Sequence, residues 1–240
     1  MEFVTSPLKS DPPADALARC EGMLAWRPFP GLATRAPRLR WIQSLTGGCE
    51  HWLASPDLSA SVTLTCARGT HRLQMPEHIL AALFMITKQI PGIVLDQRER
   101  RWRRRVNPTL GGTTLGILGI GAIGAEVARK ASALEMRVIG TKRQPGPVAG
   151  VARGDLVVDA DLVDAVKKRV IAGAVLDVFR KEPLPEEHPF WTTEGIVVLP
   201  HVGGLHPERD VFVAELFVEN LRRFVAGRPL TQVVDRALGY

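Results

Sequence analysis

Thr114-Leu-Gly-Ile-Leu-Gly-Ile-Gly-Ala-Ile-Gly124 reads as a short apolar strand, Leu115 to Leu118, that turns at once into a helix through Gly119, Gly121 and Gly124. In a chain with 22 glycines, G-x-G-x-x-G spacing alone means little. Its position gives each glycine a task. The first permits the tight turn, the second lets backbone approach a pyrophosphate, and the third lets helix and strand pack closely. The free N–H groups and positive dipole at the helix start, around Ala122 and Ile123, suit phosphate oxygens. The spacing predicts a helix that presents Ile123, Val127, Ala131 and Leu134 on one face, followed by a second strand at Val138-Ile139. A strand-helix-strand unit closes here. A dinucleotide site is favoured over a merely tight turn.

Outward from that run, composition narrows the classes. A hydrophobic share of 45% over 240 residues supports one large domain or two small ones with real cores. No apolar run approaches the ~18 residues of a membrane-spanning helix. Met1-Glu-Phe-Val-Thr-Ser-Pro7 has neither the basic start nor the apolar centre of a secretory signal. Cys20, Cys49 and Cys66 form no C-x-x-C, and the six histidines are equally dispersed. That pattern argues for reduced thiols and against a disulfide framework or a zinc site. The expectation is a cytoplasmic protein with no metal and no membrane partner. The net charge of +6 gathers in Gln97–Arg105, which holds six arginines against one glutamate. A solvated helix end and linker is preferred there to a nucleic-acid grip or a subunit contact.

Along the chain, strands and helices alternate. Phe3-Val4, Gly22–Trp26, Leu39–Ser44 and Val62–Thr65 read as strands, with a helix near Ala14–Cys20. A long apolar segment from Glu77 to about Leu95, broken by Pro91, reads as a helix leading out of this region. After the fingerprint come helix Asp159–Val170, strand Ala172–Val178 and strand Ile196–Leu199. A last helix, about Arg209 to Ala226, should bury Val213, Leu216, Phe217, Leu221 and Phe224. Such alternation predicts an α/β fold with parallel sheets. The expected boundaries are residues 1–80, with 227–240 packing back on them, and residues 81–226 as a dinucleotide-binding domain.

Four stretches in fixed order carry a resemblance. They are Gly119–Gly124, Val151-Ala-Arg-Gly-Asp155, Leu176-Asp-Val-Phe179 with Glu182-Pro-Leu-Pro185, and Pro200-His-Val-Gly-Gly204. Together they resemble the D-isomer-specific 2-hydroxyacid dehydrogenase family, and within it the glyoxylate/hydroxypyruvate reductase branch. Trp41–His51 resembles the family's substrate-side strand and loop, and Val233–Tyr240 its C-terminus. The resemblance implies a Rossmann-like parallel sheet and a smaller flavodoxin-like substrate domain. Two pieces of the family pattern look absent: a first strand-helix unit, and part of the nucleotide domain. Only the eight residues Pro145–Ala152 separate Gln144 from Arg153. Further crossovers there would need on the order of fifty. The sheet is therefore expected to be incomplete.

Reducing a 2-oxo acid requires a hydride donor, a proton donor for the developing alkoxide, and a cation for the carboxylate and carbonyl. By match to the family motif, His201 is the acid/base, a residue type whose intrinsic pKa lies near working pH. Glu182 matches the carboxylate that hydrogen-bonds the imidazole and fixes its tautomer. Arg153 matches the substrate arginine, whose planar fork can hold a carboxylate through two parallel bonds. Asp177 matches a nicotinamide-side aspartate, with turn capping as its plainer role, and Gly203 and Gly204 fall with the cofactor. Gly47, Gly48 and Cys49 resemble the loop whose backbone N–H groups face the substrate carboxylate, although Cys49 and Glu50 replace the family's usual valine and aspartate. Trp26 matches a pocket tryptophan of the reductase branch. The remaining histidines, His51, His71, His78, His188 and His206, read as surface or packing residues.

Cofactor choice follows from charge. An NAD site normally places an acidic residue about 20 positions after the fingerprint, to hold the ribose hydroxyls. Here the second strand ends Gly140-Thr141-Lys142-Arg143, which favours a 2′-phosphate and so NADP(H), with NAD(H) possible. The expected function is reduction of a small 2-oxo acid, glyoxylate or hydroxypyruvate, by a homodimer without nucleic-acid partners. A catalytically impaired shortened relative, or a co-repressor-like binding module of the same fold, is the alternative.

Overall fold

A computed structural model of the chain describes residues 2–7, 10, 12–141, 158–237 and 239. In chain order its helices are α1 (Ala14–Arg19), α2 (Leu32–Arg35), α3 (Glu50–Leu53), α4 (Gln74–Thr87), α5 (Ile90–Arg98), α6 (Ala122–Ala133), α7 (Asp159–Lys167) and α8 (Arg209–Val225). The strands are β1 (Gly22–Ala25), β2 (Trp41–Ser44), β3 (Thr63–Thr65), β4 (Thr114–Leu118), β5 (Arg137–Thr141), β6 (Ala174–Leu176) and β7 (Ile196–Val198). Every paired strand is parallel to its neighbour, as strand-helix alternation requires. The chain divides into two compact units, residues 1–70 with 207–240, and residues 71–206.

In the first unit the sheet order is β1-β2-β3. The central strand β2 is buried along its whole length, yet it reads Trp-Ile-Gln-Ser rather than as an apolar run. Its polar side chains are admissible because each finds a partner. Gln43 Nε2 donates to the Ser44 carbonyl at 3.0 Å, and Gln43 Oε1 accepts from Thr65 Oγ1 at 2.8 Å and from Asn220 Nδ2 at 3.0 Å. Ile42 joins Leu32, Trp52 and Leu64 in the unit's core. The Trp41 ring stacks on Phe217 of α8, with centroids 5.5 Å apart, and tilts against Phe224. After α8 the chain returns to β3, where the Cys66 N–H donates to the Gln232 carbonyl at 3.1 Å. The Trp41 stack and the Asn220 bonds thus group α8 with the first unit, and residues 71–80 fall in the second, where the sequence drew its boundaries at 226 and 80.

In the second unit β4 pairs with β5 and β6 with β7. The crossover helix α6 buries Gly124, Val127 and Ala131. Ala131 packs with Leu110 and Met136, and α4 reaches the same cluster through Leu83. Three local expectations need correction. Phe3 and Val4 form no strand, and both are exposed. The long apolar segment is two helices bent by 61°, and the break falls at Gln89 (φ 53°) rather than at Pro91. Pro91 lies in the first turn of α5, where a missing N–H costs nothing. Of the five α8 side chains expected in the core only Val213 is fully buried; the other four are half-buried. Among the described residues no single helix is long and apolar enough to cross a membrane.

Candidate active site

The glycine turn is held by the strand beside it. The N–H groups of Gly119 and Ile120 both donate to the Thr141 carbonyl, at 3.2 and 2.8 Å, so the end of β5 fixes the end of β4. Gly119 has φ +102°, a conformation that side chains resist. A Cβ at Gly124 would lie 2.2 Å from the Gly119 carbonyl oxygen, so only glycine lets α6 start this close. Gly121 caps α6, and its carbonyl accepts the first helical bond, from Ala125, at 2.9 Å. The N–H groups at Ala122, Ile123 and Gly124 precede any intrahelical acceptor and lie at the positive end of the dipole. Among the described residues, chain neighbours aside, nothing stands within 4 Å of a Cβ built on Gly121. That open backbone face, beside donors and without a side chain, fits a pyrophosphate. Gly119, Gly121, Ala122, Ile123, Gly124 and Thr141 are therefore gathered in one turn. Lys142, Arg143 and Arg153 lie outside the described residues.

A second constellation in the same unit surrounds His201. Imidazole Nδ1 meets a Glu182 carboxylate oxygen at 2.8 Å, and the other oxygen accepts the Phe179 N–H at 2.9 Å. The hydrogen bond with His201, and then that from Phe179, hold the Glu182 carboxyl below the usual carboxylate range. With Nδ1–H assigned as the donor to this carboxylate, Nε2 faces away from it. The imidazole is 59% exposed and so can reach a ligand. His201 itself has φ +52°, a sparsely populated region for a non-glycine residue.

Asp177 fixes the backbone that follows. Its two oxygens accept the N–H groups of Val202 and Gly203, at 2.9 and 3.0 Å. A Cβ on Gly203 would stand 2.7 Å from that carboxylate and 2.9 Å from Met75 and His78, which makes the approach specific to glycine. His78, read from sequence as a packing residue, is largely buried with Nε2 at 3.5 Å from Asp177. No motif marks His78 or Met75, because their partners lie about a hundred positions away. Gly204 packs beside the His71 ring.

In the first unit, Gly47, Gly48 and Cys49 form the turn between β2 and α3. The Thr46 carbonyl accepts the Ala67 N–H at 2.9 Å, and Thr46 Oγ1 donates to the Gly48 carbonyl at 2.7 Å. Arg209, another residue the sequence did not mark, donates from Nη2 to the Leu45 carbonyl at 2.9 Å and braces the loop's start. Trp26 is half exposed, with the Arg27 guanidinium 5.9 Å from its ring centroid. Among the described residues no group of three or more His, Cys, Asp or Glu side chains is placed to hold a metal ion.

Comparison with known proteins gives this geometry a context. Residues 80–150 and 148–203 match the family model described as D-isomer specific 2-hydroxyacid dehydrogenase, NAD binding domain. The chain is 27% identical to a glyoxylate/hydroxypyruvate reductase A of Serratia proteamaculans, over 90% of this chain and 87% of that protein. It superposes with a TM-score of 0.78 on an NADPH-dependent glyoxylate/hydroxypyruvate reductase from Sinorhizobium meliloti in complex with NADP and sulfate, at 26% identity, covering 92% of this chain and 86% of that one. A D-isomer specific 2-hydroxyacid dehydrogenase from Xanthobacter autotrophicus Py2, in complex with NADPH and MES, gives 0.80 at 26% identity, with 92% and 85% covered.

Proposed function

The chain belongs to the D-isomer-specific 2-hydroxyacid dehydrogenase family of NAD(P)-dependent oxidoreductases, and from that premise we propose that it reduces a small 2-oxo acid of the glyoxylate or hydroxypyruvate type, with NADPH as the favoured reductant. The observation that carries the proposal is the Glu182–His201 pair in the same unit as the glycine turn. A nicotinamide cofactor held at the glycine turn would supply the hydride. His201 donates a proton from Nε2 to the oxygen of the former carbonyl, and Glu182 steadies the imidazole in the orientation and tautomer that this transfer needs. Asp177 holds the Val202–Gly203 backbone and thereby the position of His201. The amides of Gly121–Gly124 bind pyrophosphate, with Thr141 closing the turn behind them. Lys142 and Arg143 would hold a 2′-phosphate. Arg153 would grip the substrate carboxylate through its planar fork.

A homodimer is the assembly we assign. Ile93, Val94, Leu95 of α5, and Trp102 and Val106 after it, are all exposed, which supports a subunit contact there, and sedimentation velocity tests it. The second reading, a relative with impaired cofactor binding, is favoured by the short span of residues 142–158 between β5 and α7. One assay separates the two. Purified chain is mixed with NADPH and glyoxylate, and the absorbance of reduced nicotinamide is followed. Turnover that falls about 10²–10⁴-fold in His201→Ala supports the reductase. Absence of NADPH binding by fluorescence titration overturns it in favour of the second reading.

A further inference from the structure

The clamp on the backbone after His201 has a third side. Asp177 follows β6, and its Oδ1 and Oδ2 accept the Val202 and Gly203 N–H groups at 2.9 and 3.0 Å. His78, in the first turns of α4, lies across from that carboxylate, with Nε2 3.5 Å from Oδ1. Its ring also packs on the clamped backbone, because a Cβ at Gly203 would stand 2.9 Å from His78 Cδ2. Both side chains are largely buried, and among the described residues His78 Nε2 has no hydrogen-bond partner. Buried polar atoms are as a rule hydrogen-bonded. A carboxylate that accepts two amides still has lone pairs to spare. One proton on Nε2 would answer both needs. α4 is itself held to α6: Glu77 Oε1 accepts from Lys130 Nζ at 3.0 Å, and Leu83 packs against the Leu110–Ala131–Met136 cluster. His78 therefore stands on a helix tied to the one that opens at the glycine turn.

We infer that His78 is a positioning residue for His201, its Nε2–H donating to Asp177 Oδ1 and holding that carboxylate against the Val202 and Gly203 amides. The consequence for catalysis rests on the reading of His201 as the acid/base given above; the bond to Asp177 does not. A small turn of the imidazole shortens the contact to the ~2.8 Å of a charge-assisted bond. The Nε2–H tautomer is assigned from this contact. His201 gains from the bond because its own φ of +52° is one that a side chain does not hold unaided. Loss of the donor leaves Asp177 free to rotate, and the two amides then lose a fixed acceptor. The His201 imidazole moves with them, out of the orientation that proton transfer needs. Misplacement by about 1 Å is enough to slow such a step by as much as ~10²-fold. An apolar ring would serve packing on Gly203 equally, so packing alone does not require a histidine.

The test begins with the loop itself, before any turnover. Amide exchange of a peptide spanning Val202 and Gly203 is followed by mass spectrometry without cofactor. In His78→Phe, which keeps a ring beside Gly203 and removes the donor, exchange should quicken at least ~10-fold, the protection expected of a bond to a charged acceptor. His78→Gln, whose amide nitrogen can take the place of Nε2, should exchange like the parent. In parallel, kcat for glyoxylate should fall ~10-fold or more in His78→Phe and recover in His78→Gln, with half-saturation by NADPH and glyoxylate within ~2-fold of the parent. Equal exchange in His78→Phe and parent overturns the bond, and quickened exchange with unchanged kcat overturns the positioning role. A His78→Phe chain that fails to fold leaves the unmutated one to decide. Its nitrogen-15 histidine spectra should show His78 Nε2 carrying the proton, assigned by its loss in His78→Gln, and a bare Nε2 overturns the inference. A parent chain that never reduces glyoxylate, while His78→Phe still quickens exchange, sinks the functional reading and leaves the Asp177 clamp standing.

Discussion

Alanine at two glycines of the turn should separate a packing role from a binding role. A Cβ at Gly124 would stand 2.2 Å from the Gly119 carbonyl oxygen. Carbon–oxygen contacts settle near ~3.3 Å, so α6 must retreat by roughly 1 Å. Overpacking of this kind costs about 1–3 kcal/mol. For a chain of this size that is a Tm loss of roughly 2–10 °C. The retreat also carries the helix amides away from any phosphate, so NADPH affinity should fall with stability. Gly121 differs: its Cβ would meet nothing within 4 Å among the described residues, and its φ of −96° is open to any residue. Gly121→Ala should therefore change stability by no more than about 0.5 kcal/mol. Its methyl would nonetheless occupy the backbone face that a pyrophosphate must approach, and NADPH affinity should drop at least ~10-fold. Thermal melts read the first quantity and NADPH fluorescence titration the second. A Gly121→Ala chain that binds NADPH like the parent would refute the turn as the phosphate site. A Gly124→Ala chain that melts with the parent would refute the steric reasoning.

Glu182→Gln removes the charge that steadies His201, and kcat/KM for glyoxylate should fall ~10-fold or more with NADPH affinity unchanged. The folded Glu182 carboxyl lies below its unfolded value of about 4.3. Its stabilising contribution is therefore present above that pH and lost as pH falls through the folded value, so Glu182→Gln should flatten the acid decline of Tm. Asn220→Ala orphans the Thr231 N–H, 2.8 Å from Asn220 Oδ1, and removes one of the two donors to Gln43 Oε1, so chemical denaturation should show a loss of about 2–4 kcal/mol. Replacing Lys142 and Arg143 together by alanine should weaken NADPH at least ~10-fold and leave NADH affinity nearly unchanged, read by paired titrations. Equal loss for both cofactors would remove the 2′-phosphate assignment.

What could be read from the sequence were features whose cause is local or periodic. The fingerprint turn needed no distant partner: each glycine's task follows from its place between β4 and α6, and the structure gives Gly119 its positive φ. The Glu182–His201 contact was legible only through motif order, since nothing in the spacing of two residues 19 positions apart fixes a 2.8 Å bond. Long-range polar satisfaction was not legible at all. Gln43 and Asn220 are 177 positions apart, and each looks like a surface residue until the other completes its bonds. Asp177 was readable as a turn cap, yet the His78 contact needed the fold. The helix break was misplaced because proline is a breaker only in a helix interior, and Pro91 sits where its missing donor is not needed.

The short span between β5 and α7 has a cost that falls on the sheet more than on the site. Parallel sheets need both faces covered. Here α6 and the Leu110–Ala131–Met136 cluster take one face of β4 and β5, while Leu118 is 82% exposed and Ile139 51% exposed. Leaving those two side chains in water forgoes on the order of 2–3 kcal/mol. The chemical groups depend on other ties. Gly119 and Ile120 are bonded to Thr141 of the adjacent strand, and the backbone after His201 is bonded to Asp177. Neither tie passes through residues 142–157. Shortening should therefore lower the melting temperature before it disturbs the imidazole–carboxylate geometry. Activity lost in this chain would be lost through cofactor affinity, which Lys142 and Arg143 serve, and recovered in part at saturating NADPH. A reductase activity that stays absent at any NADPH concentration, in a chain whose Gly121-dependent binding is intact, would contradict this ordering.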